Sequence, residues 1–234
     1  MATEARERRR ASASDFESGK VYHDVPWEVY KALIDDEENN HVRITYFDGT
    51  MILMSPGYLH ETPSHRFGMV IVAVAYASRI KCLGVGSTTL WRDGGGRRKG
   101  SGKEPDTAFY VGPNVALTRG MTDLRLDAYP PPDLAIEVDN TSDTELALQV
   151  YARLGVPELW IYTVRPRELW FGRLIGDAYE TVDRSLCLPL LTSDLVLEAL
   201  DAFDLDDPDE GAWNAWCQEW ARKLVAPPDR EALP

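Results

Sequence analysis

The chain of 234 residues, with 44% hydrophobic and 10% aromatic residues, is long enough to bury one sizeable core. Its formal net charge of −13 excludes a broad electrostatic attraction to nucleic acid, because a polyanion would approach against the overall field. Nucleic acid could therefore bind only through a local basic patch.

The cysteines and the N-terminal segment indicate a cytoplasmic protein. The three cysteines are far apart and in no metal-ligand spacing, which favours reduced, structural thiols: Cys82, Cys187 and Cys217. The first residues lack the apolar segment of a signal peptide, and no apolar run approaches the ~20 residues that a membrane helix needs. We expect no association with a membrane.

The N-terminal part of the chain predicts a tail, a helix and a hairpin. Residues 1–20 mix charged and small residues without periodicity, which is typical of a disordered tail. The segment PWEVYKALIDD begins at Pro26 and places its apolar side chains on one face of a short packing helix. The segment VRITYFDGTMILMSP alternates apolar and polar residues around Asp48-Gly49, a dipeptide favoured in tight hairpin turns.

The middle of the chain predicts a helix, a strand and a loop. The segment TPSHRFGMVIVAVAYASRIK suits a buried helix or strands by periodicity, but its length and a cap at Thr62 or Ser64 favour a helix. The segment GVGSTTLW predicts a strand. The segment RDGGGRRKGSGK, residues 92–103, predicts a mobile glycine-rich loop.

The C-terminal part predicts more strands and two more helices. EPDTAFYV and PPDLAIEVDN are expected to be strands, since proline can open a strand but not occupy its middle. SDTELALQVYARLG predicts a helix capped by Ser142 or Asp143 and ended by Gly155. ELWIYTV and ELWFGRL predict a β-hairpin, and DAYETVD predicts an edge strand. The last helix carries three tryptophans on one face: Trp213, Trp216 and Trp220.

This order of elements predicts an α/β fold (α+β mixed sheet), with one mixed sheet flanked by helices and an added N-terminal β-hairpin. The expected organisation is a tail over residues 1–20, one domain over residues 21–204, and an acidic linker with a tryptophan-rich helix over residues 205–234.

Two carboxylates are the first candidates for chemistry. Asp106 and Glu137 lie on separate predicted strands, each beside or within a strongly apolar run. Neighbouring strands would bring them together, and a shared Mg²⁺ would offset the cost of burying both charges. The alternative is that each carboxylate caps a strand end or meets an arginine.

Basic residues concentrate in the glycine-rich segment, within a chain that is otherwise acidic. They are predicted to contact nucleic acid, or else to be an exposed solubilising face: Arg92, Arg97, Arg98 and Lys99.

Five segments, in this order, carry a resemblance to a known family: MSPGYLHE, GSTTLWR, GKEPDTAFYV, PPDLAIEVDNTS and YARLGVPELWIY. Together they resemble the Uma-type restriction endonucleases of the PD-(D/E)xK nuclease superfamily, over about Val25 to Leu200. The resemblance implies a restriction-endonuclease-like fold and a Mg²⁺- or Mn²⁺-dependent endonuclease acting on DNA. It implies that Asp106 and Glu137 are metal ligands, with Glu61 as an assisting acid.

The lysine of the superfamily is where the sequence departs from the pattern. In the general pattern it follows the glutamate by two residues, where this chain has Asp139, which is either an additional metal ligand or a solvated strand end. In the Uma-type branch it lies four residues before Tyr151, where this chain has Ala147. The lysine normally orients the attacking water and stabilises developing negative charge. We therefore expect its absence to impair turnover unless another residue replaces it.

Three nearby residues are candidates to compensate for the lysine. Gln149 could orient a water but carries no charge, and Arg153 is expected to face another direction from Ala147. Lys103, close in sequence to Asp106, ranks first among them, with an exposed loop charge as the alternative.

Three functional hypotheses follow. The first is a Mg²⁺-dependent DNA endonuclease, which by analogy would pair two active sites in a homodimer. The second is a catalytically impaired relative that acts as a nucleic-acid or protein-interaction module because Ala147 replaces the family lysine. The third is a metal-dependent hydrolase of small phosphate esters, which no sequence feature specifically favours.

Overall fold

The structure, a computed structural model, describes residues 19–39, 42–55, 58–97, 99–139, 144–204 and 208–226. The predicted tail therefore lies almost wholly outside the described residues. Within these ranges the chain forms five α-helices: α1 (Trp27–Ile34), α2 (Tyr58–Ala77), α3 (Thr144–Leu154), α4 (Ser193–Asp201) and α5 (Glu210–Val225). Short 3₁₀ helices cover Glu37–Asn39 and Gly112–Thr118.

Twelve strands in the described ranges form two six-stranded sheets. The N-terminal sheet has the order β1-β3-β2-β6-β5-β8 and consists of β1 (Lys20–Tyr22), β2 (Arg43–Phe47), β3 (Thr50–Met54), β5 (Leu90–Gly96), β6 (Lys99–Lys103) and β8 (Leu124–Arg125). The central sheet has the order β12-β11-β10-β9-β7-β4 and consists of β4 (Cys82–Gly84), β7 (Thr107–Val111), β9 (Leu134–Asp139), β10 (Glu158–Thr163), β11 (Glu168–Ile175) and β12 (Ala178–Thr181).

The α/β class with mixed sheets is confirmed, but the expectation of one sheet is wrong. Each sheet contains a parallel pair, β5 with β8 and β9 with β10, beside antiparallel pairs. The chain passes between the two sheets several times, and one passage from the N-terminal sheet to the central sheet lies between Lys103 and Thr107. Strand propensity alone does not reveal this change of sheet, because consecutive strands look the same whether they join one sheet or two.

The glycine-rich segment is a strand pair rather than a mobile loop, which corrects the prediction. Its residues form most of β5 and all of β6, with a register shift between Asp93 and Gly96. The glycines permit close packing: a Cβ on Gly100 would lie 2.5 Å from the Trp27 ring, and one on Gly102 would overlap the Tyr30 hydroxyl. Glycine is needed here for the approach of α1, not for flexibility.

Two other boundaries differ from the predictions. The helix α2 begins at Tyr58, so Thr62 and Ser64 lie inside it and neither is its cap. The predicted strand GVGSTTLW is mostly the connection between β4 and β5. The packing helix α1, the Asp48-Gly49 hairpin, the hairpin β10-β11 and the edge strand β12 are confirmed.

The central sheet is covered on both faces. One face packs against α2, α4 and α5 and includes Trp213 of the last helix. The other face packs against α3, while α1 covers the N-terminal sheet through Trp27 and Tyr30. Among the described residues, we find no helix whose length and apolar character would let it span a membrane.

A buried carboxylate ties the hairpin β10-β11 to the chain that follows it. Glu158 is fully buried and accepts hydrogen bonds from the Trp160 indole at 2.7 Å and from the backbone N–H groups of Leu186 and Cys187, both at 2.9 Å. Removal of the carboxylate would leave the fully buried Trp160 indole N–H without its acceptor.

We predict that Glu158→Ala lowers the free energy of unfolding by about 3 kcal/mol, because it removes the acceptor of three N–H donors, one of them fully buried. Urea denaturation measures the change. The matched control is Glu180→Ala on the exposed edge strand β12, where we expect a loss below about 1 kcal/mol. Equal losses in the two variants would contradict a structural role for Glu158.

Candidate active site

The pairing of β7 with β9 brings Asp106 and Glu137 together. In this antiparallel pair Thr107 lies opposite Ile136 and Ala108 opposite Ala135. One further step of the same register sets Asp106 opposite Glu137. Residues directly opposite each other in an antiparallel pair share a face of the sheet, so the two carboxylates are neighbours.

The alternation of β9 decides which face the carboxylates occupy. Ile136 and Val138 pack with the core beneath α2, whereas Ala135 packs with the core beneath α3. Glu137 follows Ala135 in the alternation and therefore faces α3. The candidate site thus lies between the central sheet and α3, close to the end of β6.

Asp106 is buried and has both carboxylate oxygens in hydrogen bonds. Its Oδ1 accepts from the Arg43 guanidinium, and its Oδ2 accepts from the backbone N–H of Val138 at 2.6 Å. Only 3% of the Asp106 side chain is exposed. The sequence-based alternative that this carboxylate meets an arginine therefore describes its contact with Arg43.

Arg43 is the site residue that the sequence analysis missed. It opens β2, and its guanidinium crosses to Asp106, 63 residues further along the chain. In the sequence of β2 it is an ordinary polar residue that alternates with the buried Ile44 and Tyr46. Nothing in the local sequence distinguishes this arginine from an exposed one. Only the packing of the two sheets brings it to Asp106.

Glu137 contacts two groups from other elements. The Lys103 ammonium lies 3.1 Å from its Oε2, and each of these side chains is only 12% exposed. The Tyr151 hydroxyl donates to its Oε1. Lys103 belongs to β6 and not to a loop, which corrects the alternative that it is an exposed loop charge.

Tyr151 fixes the position of α3 relative to Glu137. The side chain is fully buried, and burial together with the nearby Glu137 charge raises its pKa well above the usual value. Ala147 lies one helical turn earlier and is partly buried in the same cluster. Residues four apart share a helix face, so a lysine in place of Ala147 would lie on the same face of α3 as Tyr151.

The other two candidates for the missing lysine point elsewhere. Arg153 pairs with Asp48, with 3.4 Å between its Nη2 and the Asp48 Oδ2, and lies over the Phe47 ring. Gln149 is exposed on α3. Three predicted side chains lie outside what the structure describes: those of Glu61, Arg98 and Asp139.

The basic residues of the hairpin β5-β6 divide into two groups. Arg92 donates to the backbone carbonyls of Arg153 at 2.8 Å and Leu126 at 3.3 Å, so its guanidinium links β5 to α3 and to the residue after β8. Arg97 and Lys99 are exposed at the turn of the hairpin. Of the described basic residues predicted to contact nucleic acid, these two present an accessible charge.

Glu104 lies between Lys103 and the buried Asp106 but faces α1. Burial raises its pKa, while its hydrogen bond with Thr89, at 3.2 Å, and the charges of Arg43 and Lys103 oppose the shift. It lines a cavity of about 320 Å³ together with residues of α1 and of β2. A third carboxylate therefore lies close to the site but on another surface.

The donor set of the site fits a hard divalent cation. Asp106 and Glu137 together offer four carboxylate oxygens, the ligand atoms that Mg²⁺ takes. Among the residues that the structure describes, no group of three or more His, Cys, Asp or Glu side chains could hold a metal. Two carboxylates alone match Mg²⁺, which keeps several waters and also binds substrate phosphate.

A comparison with protein-family models matches most of the chain to one family. The family model described as "Uma2: Putative restriction endonuclease" matches residues 27–205. Among solved structures, the chain is similar to "a putative nuclease belonging to DUF820" from Anabaena variabilis, with 14% identity and a TM-score of 0.42, over 76% of this chain and 90% of that one. No curated protein matches the sequence significantly.

We predict that the stability of the protein falls at alkaline pH because of Tyr151 and the equally buried Tyr30. Both folded pKa values lie well above the usual 10.0. As the pH rises, these two hydroxyls therefore lose their protons in the unfolded state before they do so in the folded state. The stabilisation is complete below pH 10 and is lost above it, by about 1.4 kcal/mol per pH unit for each tyrosine.

Urea denaturation between pH 8 and pH 11 measures this slope. Tyr151→Phe should make the decline shallower by about 1.4 kcal/mol per pH unit. Tyr76→Phe serves as the control, because Tyr76 is 75% exposed and should leave the slope unchanged. A wild-type slope retained in Tyr151→Phe would contradict the burial of a neutral hydroxyl beside Glu137.

Proposed function

Because the chain belongs to the Uma2 restriction endonuclease family, we propose that the protein is a Mg²⁺-dependent endonuclease that hydrolyses phosphodiester bonds in DNA. The observation that carries this proposal is the contact between the Lys103 ammonium and Glu137, at 3.1 Å. It supplies a positive charge at the acid pair although Ala147 occupies the position of the family lysine.

In this proposal Lys103 replaces the family lysine from a different element. A lysine at Ala147 would come from α3, whereas Lys103 comes from β6, which also approaches the carboxylates. What the chemistry needs is a cationic donor at a given point in space, so either element can supply it. The buried surroundings, with both partners 12% exposed, strengthen the interaction relative to a surface pair.

Asp106 and Glu137 are proposed to hold the cation, and the remaining residues hold the carboxylates in place. Val138 and Tyr151 each donate to one of the two carboxylates and so fix their orientation. A bound Mg²⁺ would polarise the phosphodiester and lower the pKa of a bound water. Lys103 would orient the attacking water and stabilise the negative charge that develops on phosphate, and the products are a phosphomonoester and an alcohol.

The exposed end of the hairpin β5-β6 is proposed to contact the DNA backbone. Arg97 and Lys99 are accessible there, and Arg98 lies between them in the sequence. Since the net charge is −13, attraction to DNA depends on this local patch and should fall steeply with salt. Cleavage of both strands would require two such sites, for which a homodimer is the simplest arrangement.

We predict Mg²⁺- or Mn²⁺-dependent cleavage of supercoiled plasmid that chelation with EDTA abolishes. Glu137→Gln should remove cleavage, because it removes a proposed ligand charge. Lys103→Met should lower the rate by about 10²–10⁴-fold, the usual contribution of a positioned acid-base group. The decisive variant is Lys103→Met combined with Ala147→Lys, in which a lysine on α3 should restore cleavage.

Lys223→Met is the charge-matched control for Lys103→Met, because Lys223 is 77% exposed on α5. It should cleave like the wild type. Full activity of Lys103→Met would contradict the role of Lys103. If the wild type is inactive and only Ala147→Lys cleaves, the protein is an impaired relative that keeps the acid pair, and a binding role replaces the proposed activity.

A further inference from the structure

Arg43 places a positive charge of the chain on the carboxylate that we propose as a metal ligand. Its guanidinium contacts Oδ1 of Asp106, and 11% of the Arg43 side chain and 3% of the Asp106 side chain are exposed. No motif identifies this arginine. Its contact with Asp106 nevertheless bears directly on how a cation could reach that oxygen.

The two partners of Asp106 differ in how easily they can leave. The N–H of Val138 belongs to β9, which is held between β7 and β10, so its departure would disturb the central sheet. The Arg43 guanidinium is the end of a flexible side chain at the first residue of β2. A cation that approaches Asp106 therefore displaces the arginine and not the backbone amide.

A guanidinium and a divalent cation also repel each other when they share one carboxylate. Two like charges within a few ångströms interact strongly where water is largely excluded, as it is around Asp106. Simultaneous occupation of this carboxylate by both groups is consequently unfavourable.

From these contacts we propose that Arg43 competes with the divalent cation for Asp106, so that the cation binds as the guanidinium leaves. This inference rests on the proposed metal site at Asp106 and Glu137. It assigns to Arg43 the role of a positioning residue that sets the metal affinity of the protein. Removal of the guanidinium charge must then strengthen metal binding, although the same removal deprives Asp106 of a stabilising partner.

The test is the affinity of the purified full chain for Mn²⁺, measured by calorimetry without DNA. Arg43→Met removes the charge at similar length and should bind Mn²⁺ about tenfold more tightly than the wild type. Arg153→Met is the matched control, since Arg153 is an arginine near the site whose ion pair is with Asp48. It removes the same charge and should change the affinity by less than about twofold.

Unchanged or weaker Mn²⁺ binding by Arg43→Met would overturn the competition while leaving the metal site intact. A failure of every protein to bind Mn²⁺ would overturn the metal site and this inference together. An equal gain in Arg43→Met and Arg153→Met would also overturn the competition, because it would reflect net charge alone.

A second measurement does not require Arg43→Met to fold. In the wild type, the ¹H–¹⁵N resonance of the Arg43 Nε–H, assigned by its loss in Arg43→Lys, should shift as Mg²⁺ is added, in step with metal occupancy. A resonance that stays in place at saturating Mg²⁺ would contradict the displacement of the guanidinium. Asp106→Asn, which removes the charge for which both cations compete, should abolish the shift.

Discussion

The structure depends on the burial of two facing carboxylates, Asp106 and Glu137. Two such charges on neighbouring strands would repel each other and would be costly to remove from water. Three groups from three separate elements offset this cost: Arg43 from β2, Lys103 from β6 and the Tyr151 hydroxyl from α3. The contacts that neutralise the acid pair therefore also connect the N-terminal sheet, the central sheet and α3.

This arrangement explains why the site lies where the chain passes between the sheets. Lys103 ends β6 in the N-terminal sheet, and Asp106 immediately precedes β7 in the central sheet. The site thus receives a basic side chain from one sheet and an acidic side chain from the other, and the two residues are close in the chain. The glycines of β6 contribute indirectly, because they let α1 approach one face of the strand while Lys103 projects from the other.

The chain has Ala147 where the family pattern has a lysine, and in the structure Lys103 places a positive charge beside Glu137. Ala147 and Lys103 are 44 positions apart in the chain, yet α3 and β6 both border Glu137. Electrostatic stabilisation depends on the position of the charge relative to the reacting group and not on the element that carries it. Arg43 also offsets the negative charge of the two acids, although it is not part of the family motif.

Local patterns were sufficient for most elements and for the choice of the two acids as candidates. Periodicity and turn residues predicted α1, α3 and the hairpin β10-β11, and the EPD and IEV motifs made Asp106 and Glu137 candidates, because these signals lie within short stretches of sequence. The division into two sheets, the strand character of the glycine-rich segment and the contact of Arg43 with Asp106 depended on the tertiary structure. Each of the three arises from residues far apart in the chain, whose contact is decided by sheet pairing and packing, and none of them leaves a signal in the local sequence.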